Sequence, residues 1–438
     1  MAKCRTSPGT LPGMNAVSVS LFEDLRESPY PREDYAIAND RIDRTVQLRD
    51  GSSVRTSLAR PPGEREAATA LSEFWWAWLI GNRPSAQFPA LGHVSVADLF
   101  SGAGGMSIGV AEAARAVGRT HSVRLAVDLN RSALEVFEAN HDPERIHHGP
   151  IEDLVNGELG MPPTDRERRL ATEFAGLTLA IGGPPCQGHS DLNNHTRRSD
   201  RKNDLYLRMA RFIEVVRPRH AIIENVPGVV HDRNSVVDRT EAALRACGYA
   251  VSNAVLSAAR FGWPQRRRRH FMVASLEFDR LDLDTFAEPF ASPPETVLWA
   301  FRDGIGVRNG VFDTPARHSE VNRNRIQFLF DHDVLNLPNE QRPDCHRLKR
   351  HSYASVYGRM DPAEPAPTIT AGFGSTGQGR FVHPLEPRTL TPHEAARLQG
   401  FPDWYSFASV HKRGALQEMI GNAVPSRLGY VVAMGLLA

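Results

Sequence analysis

The sequence predicts an α/β protein: a mostly parallel, Rossmann-like sheet flanked by helices, with a smaller irregular region and an N-terminal extension. Three observations carry this. From Val94 onward the apolar pattern alternates between strand and helix periods. Several predicted strands end in unusual sequences, one of them a glycine-rich turn, at the carboxyl ends where such sheets bind ligands. From about residue 277 to 387 the periodicity fades, and Pro, Asn, Asp, His and Arg accumulate.

The elements follow in order. Residues 1–92 stand apart as the extension. Thr45 to Arg49 and Ser53 to Ser57, joined by Asp50-Gly51, read as a β-hairpin. After Pro61-Pro62, Glu64 to Leu79 reads as a helix with Leu71, Trp75 and Trp78 on one face, a pattern expected of core packing. Covering the sheet is the plainest role for this segment; DNA contact and partner binding are the alternatives. Residues 93–276 hold the alternating pattern. His93 to Phe100 is a strand, Gly109 to Val117 a helix, Val123 to Asp128 a strand and Ser132 to Asn140 a helix. Leu177 to Ile181 is a strand that runs into GGPPCQ, Tyr206 to Val216 a helix, and His220 to Glu224 a strand. Val236 to Ala246 is a helix, followed by strands at Ala250 to Ser257 and His270 to Ala274. Residues 277–387 read as a separate irregular domain, and 388–438 as a return to the main one. There Thr391 is a predicted N-cap, with Glu394 completing a capping box, and a last helix follows Pro425.

Composition narrows the function classes. The chain has 438 residues and a net charge of +1, so any nucleic-acid contact must come from local basic runs. Such runs occur at Arg197-Arg198, Arg201-Lys202, Arg266 to Arg269 and Arg347 to Arg350, although a single run of this kind is ordinarily a solvated face. The four cysteines form no C-x-x-C pair, which argues against a disulfide framework and fits a reducing compartment. Cys345, His346 and His351 lack the spacing of a tetrahedral site, so no metal is expected. The start lacks a signal-peptide apolar core, and no apolar run approaches the roughly 20 residues that span a bilayer. A cytoplasmic protein is expected.

The motifs lie at the predicted strand ends. DLFSGAGG, residues 98–105, follows a strand and opens a helix, and its glycines let the backbone approach a ligand. A nucleotide, a dinucleotide or S-adenosylmethionine would each suit such a turn. Asp128 ends the next strand, where an acid can take both ribose hydroxyls or simply serve a helix start. In Gly182-Gly-Pro-Pro-Cys-Gln187, two prolines fix the backbone ahead of a single cysteine. A lone cysteine is usually a small buried hydrophobe. At a rigid strand exit it is a candidate nucleophile, which needs positive charge nearby to lower its pKa; Arg267 and Arg269 are candidates. Glu224 ends a neighbouring strand and is a candidate acid if burial raises its pKa. In the stretch Gln265 to Arg269, strand alternation turns Gln265, Arg267 and Arg269 inward and Arg266 and Arg268 outward.

Taken together, DLFSGAGG, GGPPCQG, ENV, PQRRRR, LTPHEAARLQGFPD and QEMIGNAVP occur in the order of the cytosine-5 DNA methyltransferases, bacterial type. The sequence resembles that family over about residues 94–438. The resemblance implies a methyltransferase sheet using S-adenosylmethionine and no metal. It implies that Phe100 contacts the cofactor's adenine or methionine part, that Gly102 and Gly105 line its pocket, and that Asp128 holds the ribose. Pro185 and Leu205 would pack beside the cofactor, and Asn422 and Val424 would close the pocket. Cys186 would add to carbon 6 of a flipped-out cytosine. Glu224 would bond or protonate the ring nitrogen, and Arg267 and Arg269 would orient base and carboxylate. The polar segment from Gly188 to Asn203 looks like the family's mobile catalytic loop. Residues 277–387 match its target-recognition domain in position, and Ala366 to Thr370 its boundary motif. Arg197, Arg198, Gln265 and Thr368 are assigned to the DNA contacts, with Tyr357, Arg359 and Arg347 to Arg350 as further candidates.

The sequence departs from the family pattern at Pro150, where an acid usually meets the adenine amino group, and at His189, Arg268 and His393. None of these removes a catalytic group. The expected activity is DNA cytosine-5 methylation by a monomer on double-stranded DNA, paired with a restriction nuclease or a related defence system. A tRNA cytosine-5 methyltransferase and a catalytically silent DNA-binding relative are the alternatives.

Overall fold

The computed structural model describes residues 31–61, 69–81, 83, 90–185, 204–232, 235–348 and 355–438. Cys186, Arg197 and Arg198 lie outside the described residues, as do the loop from Gly188 to Asn203 and the start of the helix expected from Glu64.

The chain begins with β1 (Arg32–Ile37), β2 (Arg41–Gln47) and β3 (Ser53–Ala59), then α1 (Ala70–Ile80). The three strands form an antiparallel sheet in sequence order, so the predicted hairpin is present and gains a third strand. Thr69 caps α1 by accepting from the Ser72 amide. The tryptophans Trp75, Trp76 and Trp78 are all buried, as expected of core packing.

The main sheet follows: β4 (His93–Leu99), α2 (Gly105–Ala116), β5 (Thr120–Asp128), α3 (Arg131–His141), β6 (Ile146–His148), α4 (Asp165–Glu173), β7 (Leu179–Gly182), α5 (Asp204–Val216), β8 (His220–Asn225), α6 (Val236–Ala246), β9 (Ala250–Ser257) and β10 (Arg268–Ser275). Its seven strands run in the order β6-β5-β4-β7-β8-β10-β9. Strands β4 to β8 pair in parallel, and β10 runs antiparallel between β8 and β9. The chain builds outward from β4 on one side, then returns to start β7 on the other. The strand order therefore reverses between β4 and β7, and this is the crevice where open α/β sheets place ligands. The motif DLFSGAGG and the stretch Gly182-Gly183-Pro184-Pro185 leave the sheet at these two strand ends.

Beyond β10 come α7 (Leu283–Ala287), α8 (Val297–Phe301), α9 (Glu320–Asp331), α10 (Asp344–Arg347), α11 (Pro392–Gln399), α12 (Arg413–Asn422) and α13 (Ser426–Leu437). Two cores sandwich the sheet. One joins the N-terminal layer, α2, α11 and α13. The other lies under α4, α5 and α6. The predicted capping box is present: Thr391 accepts from the Glu394 amide, and the Glu394 carboxylate accepts from the Thr391 amide.

The irregular region begins with short helices. Residues Leu283, Phe286, Val297, Trp299 and Phe301 belong to the large first core. A separate small core appears later, around Ile326, Leu329, Leu337 and Val382. Loss of periodicity marked the loops correctly, but it cannot show which core a short helix joins.

Candidate active site

The glycine-rich turn is built by unusual backbone. Phe100 has a φ of 62° and Gly102 a φ of 52°. Positive φ is costly for a bulky residue and persists where the surroundings impose it. The Ser101 amide donates to Val127 O, which ties the turn to β5. Gly102 N donates to Asp128 Oδ2 at 2.8 Å, and Asn130 N donates to Oδ1 at 2.8 Å. Asp128 is thus fixed across the mouth of the turn by backbone donors to both of its oxygens, and each carboxylate oxygen can accept more than one bond. Burial raises its pKa, and the backbone donors of Asn130, Gly102 and Leu129 oppose that shift. Phe100 and Leu205 are half-buried against the same core, and Pro185 is half-buried at the β7 exit.

The C-terminal segment meets this turn from the other side. A Cβ on Gly105 would stand 2.6 Å from Val424 O, so only glycine allows that approach. The structure therefore brings Val424 to the turn. The Asn422 side chain is exposed, and its carbonyl accepts from Arg267.

Glu224 is the centre of the second motif group. Its carboxylate is buried at the end of β8, and Arg269 Nε bonds Oε1 at 2.8 Å. A Cβ placed on Gly183 would lie 2.9 Å from Glu224 Oε2, so the acid sits against the strand exit that leads into Cys186. Burial pushes the Glu224 pKa up, while Arg269 and then Arg267 pull it down. Asn225 had been given no role from sequence, yet its Nδ2 donates to Pro184 O at 3.2 Å and holds the same exit. The ENV triplet pointed to it by position alone.

The arginine-rich stretch alternates as predicted: Gln265, Arg267 and Arg269 face inward, Arg266 and Arg268 outward. What the inward residues do differs from expectation for two of them. Gln265 has no exposed surface. Its Nε2 donates to Leu398 O at 2.8 Å and Gln399 Oε1 at 2.9 Å, and its Oε1 accepts from Ile369 N at 3.1 Å. Both ends of the amide are used inside the protein. Arg267 donates to Ile369 O at 2.6 Å, Gly421 O at 3.0 Å and Asn422 O at 3.3 Å. It acts on Glu224 through its field, whereas Arg269 bonds the carboxylate. Thr368, beside Ile369, is half-buried.

His393 and Arg397, from the LTPHEAARLQGFPD motif, form an acid-rich clamp. His393 lies 2.8 Å from Asp313 and 3.0 Å from Asp403, and Arg397 bonds both Asp303 and Asp403. The clamp ties the loop of residues 303–313 to α11.

The fold is that of an α/β methyltransferase. Solved structures agree on the fold. A structure described as a DNA modification methyltransferase encoded within a prophage (E. coli) matches with a TM-score of 0.53 and 23% identity, covering 78% of this chain and 98% of that one. An Entamoeba histolytica methyltransferase matches at a TM-score of 0.50 and 14% identity, over 78% and 98% of the two chains. The profile of the C-5 cytosine-specific DNA methylase family matches residues 94–437, and the chain belongs to that family. It is similar to the Type II methyltransferase M1.BsuMI of Bacillus subtilis, 44% identical over 92% of this chain and 95% of the relative. It is also similar to the Type II methylase M.HgiDII of Herpetosiphon aurantiacus, 30% identical over 77% and 94% of the two chains. The protein is a DNA cytosine-5 methyltransferase, and the family implies S-adenosylmethionine as methyl donor.

The residues present fit that donor. The Ser101 hydroxyl is buried in the turn with no hydrogen-bond partner among the described residues. At Gly102 the space a Cβ would fill is open. A turn with an unused donor, open room and a carboxylate with spare acceptor capacity suits a ribose and an amino-acid tail.

Proposed function

We propose that this protein methylates carbon 5 of a cytosine flipped out of a specific duplex DNA sequence, through a covalent bond from Cys186 to carbon 6. It does so as the modification arm of a restriction–modification or related defence system. The observation that carries this reading is the buried Glu224 carboxyl, bonded by Arg269 and lying against Gly183, three residues before the thiol.

Asp128 holds the ribose hydroxyls of the donor. Phe100, Leu205 and Pro185 pack on its apolar parts, and Gly102, Gly105, Asn422 and Val424 shape the pocket. When bound, S-adenosylmethionine supplies an electrophilic methyl group on a sulfonium. The target base leaves the stack because neither ring carbon is reachable within a duplex. The Cys186 thiolate attacks carbon 6, forming a C–S bond. Glu224, whose pKa burial raises, donates a proton to ring nitrogen 3 as electron density moves there. Carbon 5 is now enamine-like, and its electron pair takes the methyl as the methyl–sulfur bond breaks and leaves S-adenosylhomocysteine, while nitrogen 3 returns its proton to Glu224. Loss of the carbon-5 proton to a base then forms the ring double bond and expels the thiolate. Arg269 orients Glu224, and Arg267 fixes the backbone beside it. Arg197, Arg198 and Thr368 contact DNA phosphates, which set register without reading sequence. The enzyme works as a monomer on DNA.

The test is methylation of duplex DNA, with tRNA in parallel, by purified wild type and Cys186→Ser, read by bisulfite sequencing. Wild type should methylate a defined DNA motif. The variant should lose methyl transfer entirely while its affinity for the donor stays within about threefold. Carbon-5 methylation by Cys186→Ser would refute the covalent route.

A further inference from the structure

A cavity of about 260 Å³ lies behind the glycine-rich turn, between α1, α2, α3 and the loop that carries Trp404. Two of its walls, Trp78 and Arg83, come from the N-terminal layer, outside the family match of residues 94–437. The cavity is therefore particular to chains that carry this layer.

Its lining is cationic. Arg83, Arg115 and Arg119 face a single carboxylate, Glu112. That carboxylate is already engaged by Arg44 at 2.8 Å, by Arg115 at 2.7 Å and by Trp78 Nε1 at 3.1 Å. The Arg119 side chain has no hydrogen-bonding or ionic partner among the described residues, and the Arg83 guanidinium reaches a carbonyl, Asn140 O, at 3.0 Å. Two indole rings, Trp78 and Trp404, give flat apolar walls. The Trp404 Nε1 donor is buried without a partner among the described residues. Burial holds His121 and His141 neutral, with pKa values near 4 and 3, and neighbouring Arg83 pushes the same way.

The cavity also touches the turn mechanically. A Cβ on Gly104 would lie 2.7 Å from His141 Nε2 and 2.6 Å from the Tyr405 hydroxyl, which itself donates to Ala103 O at 2.7 Å. His141 is thus a lining residue of the cavity and a direct support of the turn.

We propose that this cavity is an effector site for a small ligand carrying an oxyanion, phosphate or carboxylate, on a flat ring. Arg119 and Arg83 bind the oxyanion, Trp78 and Trp404 hold the ring, and occupancy changes donor affinity through His141 and Gly104. The last step rests on the reading that residues 100–105 bind the donor.

The experiment is calorimetric titration of the full chain, saturated with S-adenosylhomocysteine to block the donor pocket, with inorganic phosphate, benzoate and phenyl phosphate. At least one ring-bearing anion should bind saturably at millimolar concentration or below, at least tenfold tighter than phosphate. Benzoate against phenyl phosphate tells carboxylate from phosphate. Arg119→Gln should weaken that binding at least tenfold and leave methylation without ligand unchanged. Trp404→Phe, which keeps the ring and removes the donor, should weaken it less. The absence of saturable binding, or equal affinity in Arg119→Gln, overturns the site. In a second arm, the bound anion should shift the dissociation constant of S-adenosylmethionine at least threefold, and no shift overturns the effector role. Asp128→Ala probes the donor pocket separately. If it leaves donor affinity intact, the reading of the turn fails while the binding arm stands on its own.

Discussion

Asp98 opens the glycine-rich motif, and its side chain is buried under the turn, accepting from Ser107 Oγ at 2.6 Å. Burial raises its pKa from 3.8 to about 7, Ser107 opposes the shift and Asp128 adds to it. Folding therefore favours the protonated acid. Its contribution is complete below pH 3.8 and is lost as pH rises through about 7. Urea unfolding should show stability falling between about pH 4 and about pH 7, by an amount on the order of 4 kcal/mol at most, and levelling off above that. Asp98→Asn should remove most of that slope. If wild type and variant share the same pH dependence, Asp98 is not the group responsible. None of this was legible in the sequence, where the acid reads only as part of a motif string. Burial and the charge of Asp128 alongside depend on how β4 pairs with β5.

Among the elements, the stretch before β10 shows where sequence reasoning ends. Strand alternation put Gln265, Arg267 and Arg269 inward, and the structure agrees. The partners were invisible because they lie far along the chain, at Ile369, Leu398–Gln399 and Gly421–Asn422. Gln265 is the middle of a knot that ties the boundary segment and α11 to the sheet. Gln265→Leu should lower stability by about 2–4 kcal/mol, the cost of leaving buried groups unpaired. DNA affinity measured where the variant is folded should stay within about threefold of wild type. A much larger loss of affinity with an unchanged melting temperature would return Gln265 to the DNA face. The short helices α7 and α8 carry the same lesson. Their apolar residues were readable, but which core they join was settled by packing.

At the scale of the molecule, the N-terminal layer is bound to the methyltransferase body by a buried polar network. Arg44 bonds Glu112 at 2.8 Å, Thr56 at 3.1 Å and the Tyr430 hydroxyl at 3.1 Å. Tyr430 in turn donates to Glu33, and Arg427 lies 4.3 Å over the Trp75 ring. The hairpin and the tryptophan face were legible as local patterns. The ion pairs joining them to α2 and α13 were not, because no local period announces a buried arginine. The alignment with the Bacillus subtilis relative covers 92% of this chain, so most of the layer is shared with that protein although it precedes the family match. Arg44→Met should cost about 3–5 kcal/mol by leaving Glu112 with Arg115 as its one remaining guanidinium and Glu33 with less neutralising charge, and adding Glu112→Leu should recover part of it. Thermal melts of the single and double variants decide this. Equal losses in both would mean that packing, not charge, joins the layer to the body.

The contact between α2 and α13 has a consequence for how the protein is made. One helix opens the methyltransferase region and the other nearly ends it, yet they lie side by side in the same core. A ribosome exposes α2 long before its partner exists. Until then α2 presents an uncovered apolar face, and Gln265 and Arg267 wait for carbonyls not yet synthesised. Assembly of the donor crevice must therefore follow translation, and the emerging half-chain is a natural client for chaperones.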